Sequence, residues 1–112
     1  MNKYRNKKVF CDGMTFDSKK ELARYLELKI LERAGEVRGI ECQKKFELIT
    51  SVKINGKTKP AIRYFSDFSY FIVKDGEFIV EDVKSAMTRK LAPYRMKIHM
   101  MKYLHGIEIK EI

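Results

Sequence analysis

The sequence predicts a single α/β domain in which a mixed four-stranded sheet is flanked by helices. Two segments with helical periodicity bracket a run of strand-like segments and precede a short apolar tail. The 112 residues are 45% apolar, with seven Phe and six Tyr, which is enough for one core and too little for two. A helix joining the third strand to a fourth implies a right-handed crossover and a parallel pair. The expected order is αβββαβ, with residues 1–112 forming one domain and about 1–8 a basic arm.

The arm carries Lys3, Arg5, Lys7 and Lys8 with almost no apolar content. Such a run is either a solvated tail or a cationic strap for phosphates. Val9 to Phe16 is an apolar stretch interrupted by the turn signal Asp12-Gly13. Ser18-Lys19-Lys20-Glu21 fits a capping box and opens a helix. That helix is expected to bury Leu22, Leu26 and Ile30, flanked by Ala23 and Ala34, and to end at Gly35.

Glu36 to Thr50 alternates through Ile40, Cys42, Phe46 and Leu48, and reads as one strand. Asn55-Gly56 is a hairpin turn. Ala61 to Val73, rich in aromatic and β-branched residues, reads as a second long strand behind Pro60. Lys74-Asp75-Gly76-Glu77 turns the chain into a third, Phe78 to Lys84. Ser85 to Leu91 is a polar, basic connection. Pro93 suits the first turn of a helix running to about Leu104, with Leu91, Tyr94, Ile98 and Met101 on one face and Gly106 closing it. Ile107, Ile109 and Ile112 supply the last strand.

Composition narrows the function classes. Twenty-four Lys and Arg against fifteen Asp and Glu leave a formal charge of +9, and the common partner for such a field is nucleic acid. No apolar run reaches the ~18–20 residues of a membrane span. The basic N-terminus lacks the apolar stretch of a signal peptide, so a cytoplasmic setting is expected. Cys11 and Cys42 are far apart with no C-x-x-C, and read as reduced thiols, with a single bridge left open. His99 and His105 stand on different faces of one helix, which gives no zinc spacing.

The informative segment is the second hairpin. With Asp75-Gly76 as a two-residue loop, Val73 faces Phe78, Phe71 faces Val80, Ser69 faces Asp82 and Asp67 faces Lys84. One face of the sheet then runs from apolar residues into Ser69, Asp82, Asp67 and Lys84, with Asp67 and Asp82 as diagonal neighbours roughly 7–8 Å apart. Two carboxylates continuing an apolar face are costly unless compensated. A divalent cation compensates them, and oxygen-only ligands suit Mg²⁺ or Mn²⁺. Lys84 on the same face can orient a water or stabilise a phosphoryl transition state. The plain alternative is a cross-strand Asp67–Lys84 ion pair at a solvated sheet end.

Asp67, Asp82-Val83-Lys84 on the next strand and Glu21 on a first helix resemble the PD-(D/E)xK nuclease superfamily, whose core has the αβββαβ order. Phe16-Asp17-Ser18-Lys19-Lys20-Glu21, Gln43-Lys44-Lys45-Phe46-Glu47-Leu48, Val80-Glu81-Asp82-Val83-Lys84 and Tyr94-Arg95-Met96-Lys97 resemble small phage and prophage proteins related to Holliday-junction resolvases. The resemblance covers nearly the whole chain. Ser66 stands where the superfamily's proline would precede Asp67. It implies that Asp67, Asp82 and the Val83 carbonyl hold Mg²⁺, with Mn²⁺ as a substitute, and that Lys84 positions the attacking water. Glu21 corresponds to the helical acid, though at N3 of a capping box it also has a structural purpose. Gln43, Arg95 and Lys97 match the family pattern and read otherwise as surface residues. Arg89 and Lys90, just past the site strand, are placed to meet DNA. Glu81 is sent by alternation to the opposite face.

The implied function is a phage or prophage metal-dependent DNA endonuclease acting on branched DNA. It would use a metal-activated water and work as a homodimer, because resolution needs two symmetric cuts. No membrane and no small-molecule cofactor are expected. The alternatives are a non-cutting DNA-binding accessory protein on the same fold and a duplex-nicking endonuclease.

Overall fold

The computed structural model describes residues 8–112, so Lys3, Arg5 and Lys7 of the basic arm lie outside the described residues. The chain opens with a hairpin, β1 (Val9–Cys11) and β2 (Met14–Phe16), turned by Asp12 and Gly13, both at positive φ. Helix α1 spans Lys19–Arg33. The Ser18 hydroxyl accepts from the Glu21 N–H at 3.1 Å, and Gly35, at φ 79°, ends the helix as expected.

The burial of α1 corrects the expected stripe. Glu21, Tyr25 and Leu28 are buried, whereas Leu26 and Ile30 are exposed. Leu22 keeps its place against the core, but the helix turns Arg24 towards its buried partner Glu81 on the sheet, and Leu26 and Ile30 are left outside.

The two long strands predicted after α1 each divide in two. Glu36–Thr50 becomes β3 (Val37–Cys42) and β4 (Lys45–Ile49); Ala61–Val73 becomes β7 (Ile62–Phe65) and β8 (Phe68–Ile72). Between them lies the hairpin β5 (Val52–Ile54) and β6 (Lys57–Lys59), turned at Asn55-Gly56. β3 pairs with β8 and β4 with β7, both antiparallel. Together these segments make one long two-stranded ribbon, bent where both strands are interrupted. At the bend the Gln43 N–H donates to the Asp67 carbonyl at 3.1 Å, and the Ser66 N–H donates to the Lys44 carbonyl at 3.0 Å. Gln43 adopts φ 57° to make that corner. A register shift lies between Arg38 and Glu41, where Gly39 has φ 66° and an added Cβ would stand 3.3 Å from the Phe71 ring.

Strand β9 (Phe78–Asp82) pairs antiparallel with β8, and β10 (Lys110–Glu111) pairs parallel with β9. The principal sheet is therefore mixed and four-stranded, in the order β10-β9-β8-β3, with the expected parallel pair. The Ser85–Leu91 connection contains a short helix, α2 (Ala86–Arg89); α3 covers Ala92–His105 and ends at Gly106 with φ 69°. Of its predicted face, Met101 is buried, whereas Leu91 is the exposed N-cap residue.

The core of this one domain lies as two clusters, one on each face of the sheet. On one side Phe16, Tyr25, Leu28, Val37, Phe68 and Tyr70 join α1 and the first hairpin to the strands. On the other, Phe46, Leu48, Tyr64, Val80 and Met101 join α3 to the bent ribbon. Among the described residues no helix is long and apolar enough to cross a membrane.

Candidate metal and phosphate site

The β8–β9 hairpin is looser by two residues than predicted. Phe71 pairs with Phe78, Ser69 with Val80 and Phe68 with Glu81, so Val73 to Gly76 form a four-residue loop and Val73 is exposed. A slip of one residue would have exchanged the faces; a slip of two preserves them. One step beyond Phe68–Glu81, the same register sets Asp67 directly opposite Asp82 rather than opposite Lys84. The Asp67 N–H donates both to the Glu81 carbonyl at 3.2 Å and to Asp82 Oδ1 at 3.0 Å.

Asp82 is fully buried, and no cation is among its bonded partners. Its Oδ2 accepts a short hydrogen bond from the Tyr64 hydroxyl. Burial pushes the carboxyl up to about 6, with the Asp67 charge adding to the rise, while the Tyr64 hydroxyl and the Lys84 charge oppose it. The Tyr64 phenol is raised in turn by its own burial and by Asp82. Tyr64 was not anticipated from the sequence. Its role follows from β4–β7 pairing and α3 packing, neither of which leaves a local pattern.

Asp67 is 4% exposed and holds the other half of the site. Its Oδ2 accepts from the Val83 N–H at 2.7 Å and lies 3.7 Å from Lys84 Nζ. Its Oδ1 has only a 3.5 Å contact from the Gln43 side-chain amide. Gln43, Asp67, Asp82 and Lys84 thus meet at one end of the sheet, as the sequence suggested for the last three. Glu21 stands near them. It is pushed up to about 7 by burial first and by the Asp67 charge second, with a backbone hydrogen bond at Asp17 and the Lys84 charge pulling it back.

A cavity of about 360 Å³ opens over Asp82 and Lys84, lined also by Tyr64, Phe65, Tyr94 and Lys97. Lys97 therefore shares the cleft with Asp82 and Lys84, whereas Asp67 does not line it. Arg95, two residues earlier, is exposed and lines a separate recess with Arg89, Tyr94 and Glu111. Arg89 is not free: its Nη2 donates to the Ile112 carbonyl at 2.7 Å, and its Nε lies 3.7 Å from Glu111. Lys8 and Lys90 are exposed.

A hard cation fits this donor set in part. Asp82 carries a buried carboxyl with no cation bonded to it, Lys84 pairing instead with Asp67 Oδ2, and Asp67 Oδ1 has coordination capacity to spare. Among the described residues no group of three or more His, Cys, Asp or Glu side chains is gathered at metal-binding spacing. The fit is accordingly that of an ion held by one or two carboxylates and otherwise by water and backbone, the habit of Mg²⁺.

Glu81 goes to the opposite face, as alternation requires. It accepts from Arg24 Nε at 2.8 Å and Arg24 Nη2 at 2.6 Å, and from the Tyr70 hydroxyl in a short bond. Both of its oxygens are satisfied by protein.

A family model described as "Protein of unknown function (DUF1064)" matches residues 1–110, so the chain belongs to the DUF1064 family. No curated protein and no solved structure matches it.

Proposed function

We propose that this DUF1064 chain is a divalent-metal-dependent DNA endonuclease that hydrolyses phosphodiesters at the cleft over Asp82. The carrying observation is the opposed, buried pair Asp67–Asp82 with Lys84 beside it, at the edge of a cleft that also holds Lys97. Two buried carboxylates sharing the single charge of Lys84 are costly, and a divalent cation offsets that cost. The PD-(D/E)xK resemblance supports the same residues.

Asp67 and Asp82 would hold the cation, which when bound supplies charge neutralisation on the scissile phosphate. Tyr64 and the Asp67 N–H fix the Asp82 carboxylate in place. Gln43 steadies Asp67. Lys84 orients the attacking water and offsets negative charge as the water oxygen bonds to phosphorus and the bond to the leaving sugar oxygen breaks. Lys97 and the exposed Arg95, Lys90 and Lys8 contact flanking phosphates. Glu21, with its raised pKa, is suited to exchange a proton with water near neutral pH. Branched DNA as substrate, a homodimer and a phage or prophage origin rest on the resemblance.

The test is cleavage of a labelled four-way junction beside a matched linear duplex, in Mg²⁺ and in EDTA, by wild type and Asp82→Asn. Cutting of the junction alone that needs metal and is lost in the variant is expected. Equal cutting of both probes keeps the nuclease and discards the junction. Tight binding with no cutting, even in Mn²⁺, would instead assign the chain to the non-catalytic DNA-binding class.

A further inference from the structure

The outer end of the bent ribbon is unaccounted for by the cleft. Every residue from 49 to 60 is exposed, and β5 and β6 pair with each other. A two-stranded hairpin alone is marginal in water, so one carried bare invites a partner. Cross-strand register puts Val52 opposite Lys59 and Ile54 opposite Lys57. These four therefore share one face, while Lys53 and Thr58 share the other. Val52 and Ile54 are about half exposed, at 47% and 51%. Between Glu47 and Asp67 the sequence contains no acid and four cations: Lys53, Lys57, Lys59 and Arg63.

We infer that the β5–β6 hairpin is a DNA-binding finger in which Lys57 and Lys59 contact backbone phosphates while Val52 and Ile54 lie against sugar and base edges in a groove. A two-stranded ribbon is one of the few elements that a major groove admits. The same face would repel a second copy of itself, since the two copies would set lysines against lysines. Continuity with the cleft favours the same polymer for both. β6 runs through Pro60 into β7, which carries Tyr64 against Asp82. Lys59 is five residues from Tyr64, so the two are at most about 18 Å apart along the chain. That is within the roughly 34 Å of one duplex turn. The finger thus meets the substrate less than a turn from the acid pair. This inference rests on the reading of the chain as a DNA-cutting protein, but on its DNA binding and not on its chemistry.

The test is fluorescence anisotropy of labelled junction and duplex in EDTA over a salt series, with folding checked by circular dichroism. Lys57→Ala/Lys59→Ala is compared with Lys74→Ala/Lys110→Ala, which removes the same charge from the recess beside Arg24 and Tyr70, on the sheet face turned away from the cleft. The finger variant should bind on the order of 10- to 60-fold more weakly at 0.1 M salt, with the log–log salt slope shallower by about 2. The remote pair should lose less than about threefold. Val52→Ser/Ile54→Ser should weaken binding with the slope unchanged. Equal losses in the two lysine pairs, or no loss in the finger pair, overturn the finger while leaving DNA binding in place. Failure of wild type to bind either probe overturns the finger and the DNA reading together.

Discussion

Glu81 and Asp82 are consecutive residues of one strand, both fully buried, and the sheet sends them to opposite faces. Glu81 meets a guanidinium in a two-pronged contact and a tyrosine hydroxyl. Asp82 meets a tyrosine hydroxyl and a backbone N–H. Each has its tyrosine; only Glu81 has a cation bonded to it, since Lys84 pairs with Asp67. A charge completed by the protein's own residues is a structural device. One left short of positive charge, at the edge of a cleft, is an invitation to something from outside.

The largest expected effect is on the completed side. Glu81→Ala leaves the mostly buried Arg24 guanidinium with only the exposed Glu27 as charged partner and should cost about 3–5 kcal/mol in urea unfolding. Asp82→Asn should do the reverse near neutral pH. Asn can still accept from the Asp67 N–H and donate to the Tyr64 oxygen, while the buried charge is gone. Holding this carboxyl at about 6 instead of 3.8 corresponds to on the order of 3 kcal/mol.

The sign of the pH dependence follows. Between about pH 4 and pH 6 the folded chain keeps a proton on Asp82 that the unfolded chain has released. Asp82's contribution therefore favours folding at low pH and is lost as pH rises through about 6. Metal-free wild type should fall in stability relative to Asp82→Asn across that window and level off above it. Parallel stability curves from pH 4 to 8 would contradict this.

Tyr64→Phe is the next smaller step. It strips an O–H donor from a buried carboxyl and should cost about 1–3 kcal/mol by denaturant titration. An unchanged midpoint would remove Tyr64 from the site. The smallest effect is on α1: Leu26→Lys and Ile30→Lys, at exposed positions, should stay within about 0.5 kcal/mol of wild type. Larger losses would restore the stripe that periodicity predicted.

These residues also mark how far the sequence could be read. The Asn55-Gly56 turn and the Ser18 cap are local signals, and both stand, although the Glu21 side chain bonds at Asp17 and not back to Ser18. The β8–β9 loop was misjudged by two residues, yet Asp67, Ser69, Val80 and Asp82 kept their common face because strand alternation has period two. The break at Gln43 left no turn residue to find, and the turn-type pair Ser66-Asp67 is masked by the aromatic run on either side of it. Both breaks come from a bend shared by two paired strands, and the site sits in that bend. The α1 stripe held at Leu22 and failed at Leu26 and Ile30, because Arg24, polar by type, is drawn inward by Glu81 on the sheet. Tyr64 reaches Asp82 only after four strands and a helix have packed. In each case the unreadable part is long-range pairing, and the acid–lysine pattern was legible because it lies within one hairpin.

The most direct measurement is thermal unfolding at pH 7.5 in EDTA and in Mn²⁺, for wild type, Asp82→Asn and Arg24→Lys. An ion at ten times its dissociation constant adds about 1.4 kcal/mol to the folded state, or roughly 5 °C and more for a domain of this size. Wild type and Arg24→Lys should both show that rise, whatever their starting midpoints, and Asp82→Asn should not. An equal rise in all three, or none in wild type, would mean that Asp82 is no more a ligand than Glu81 is.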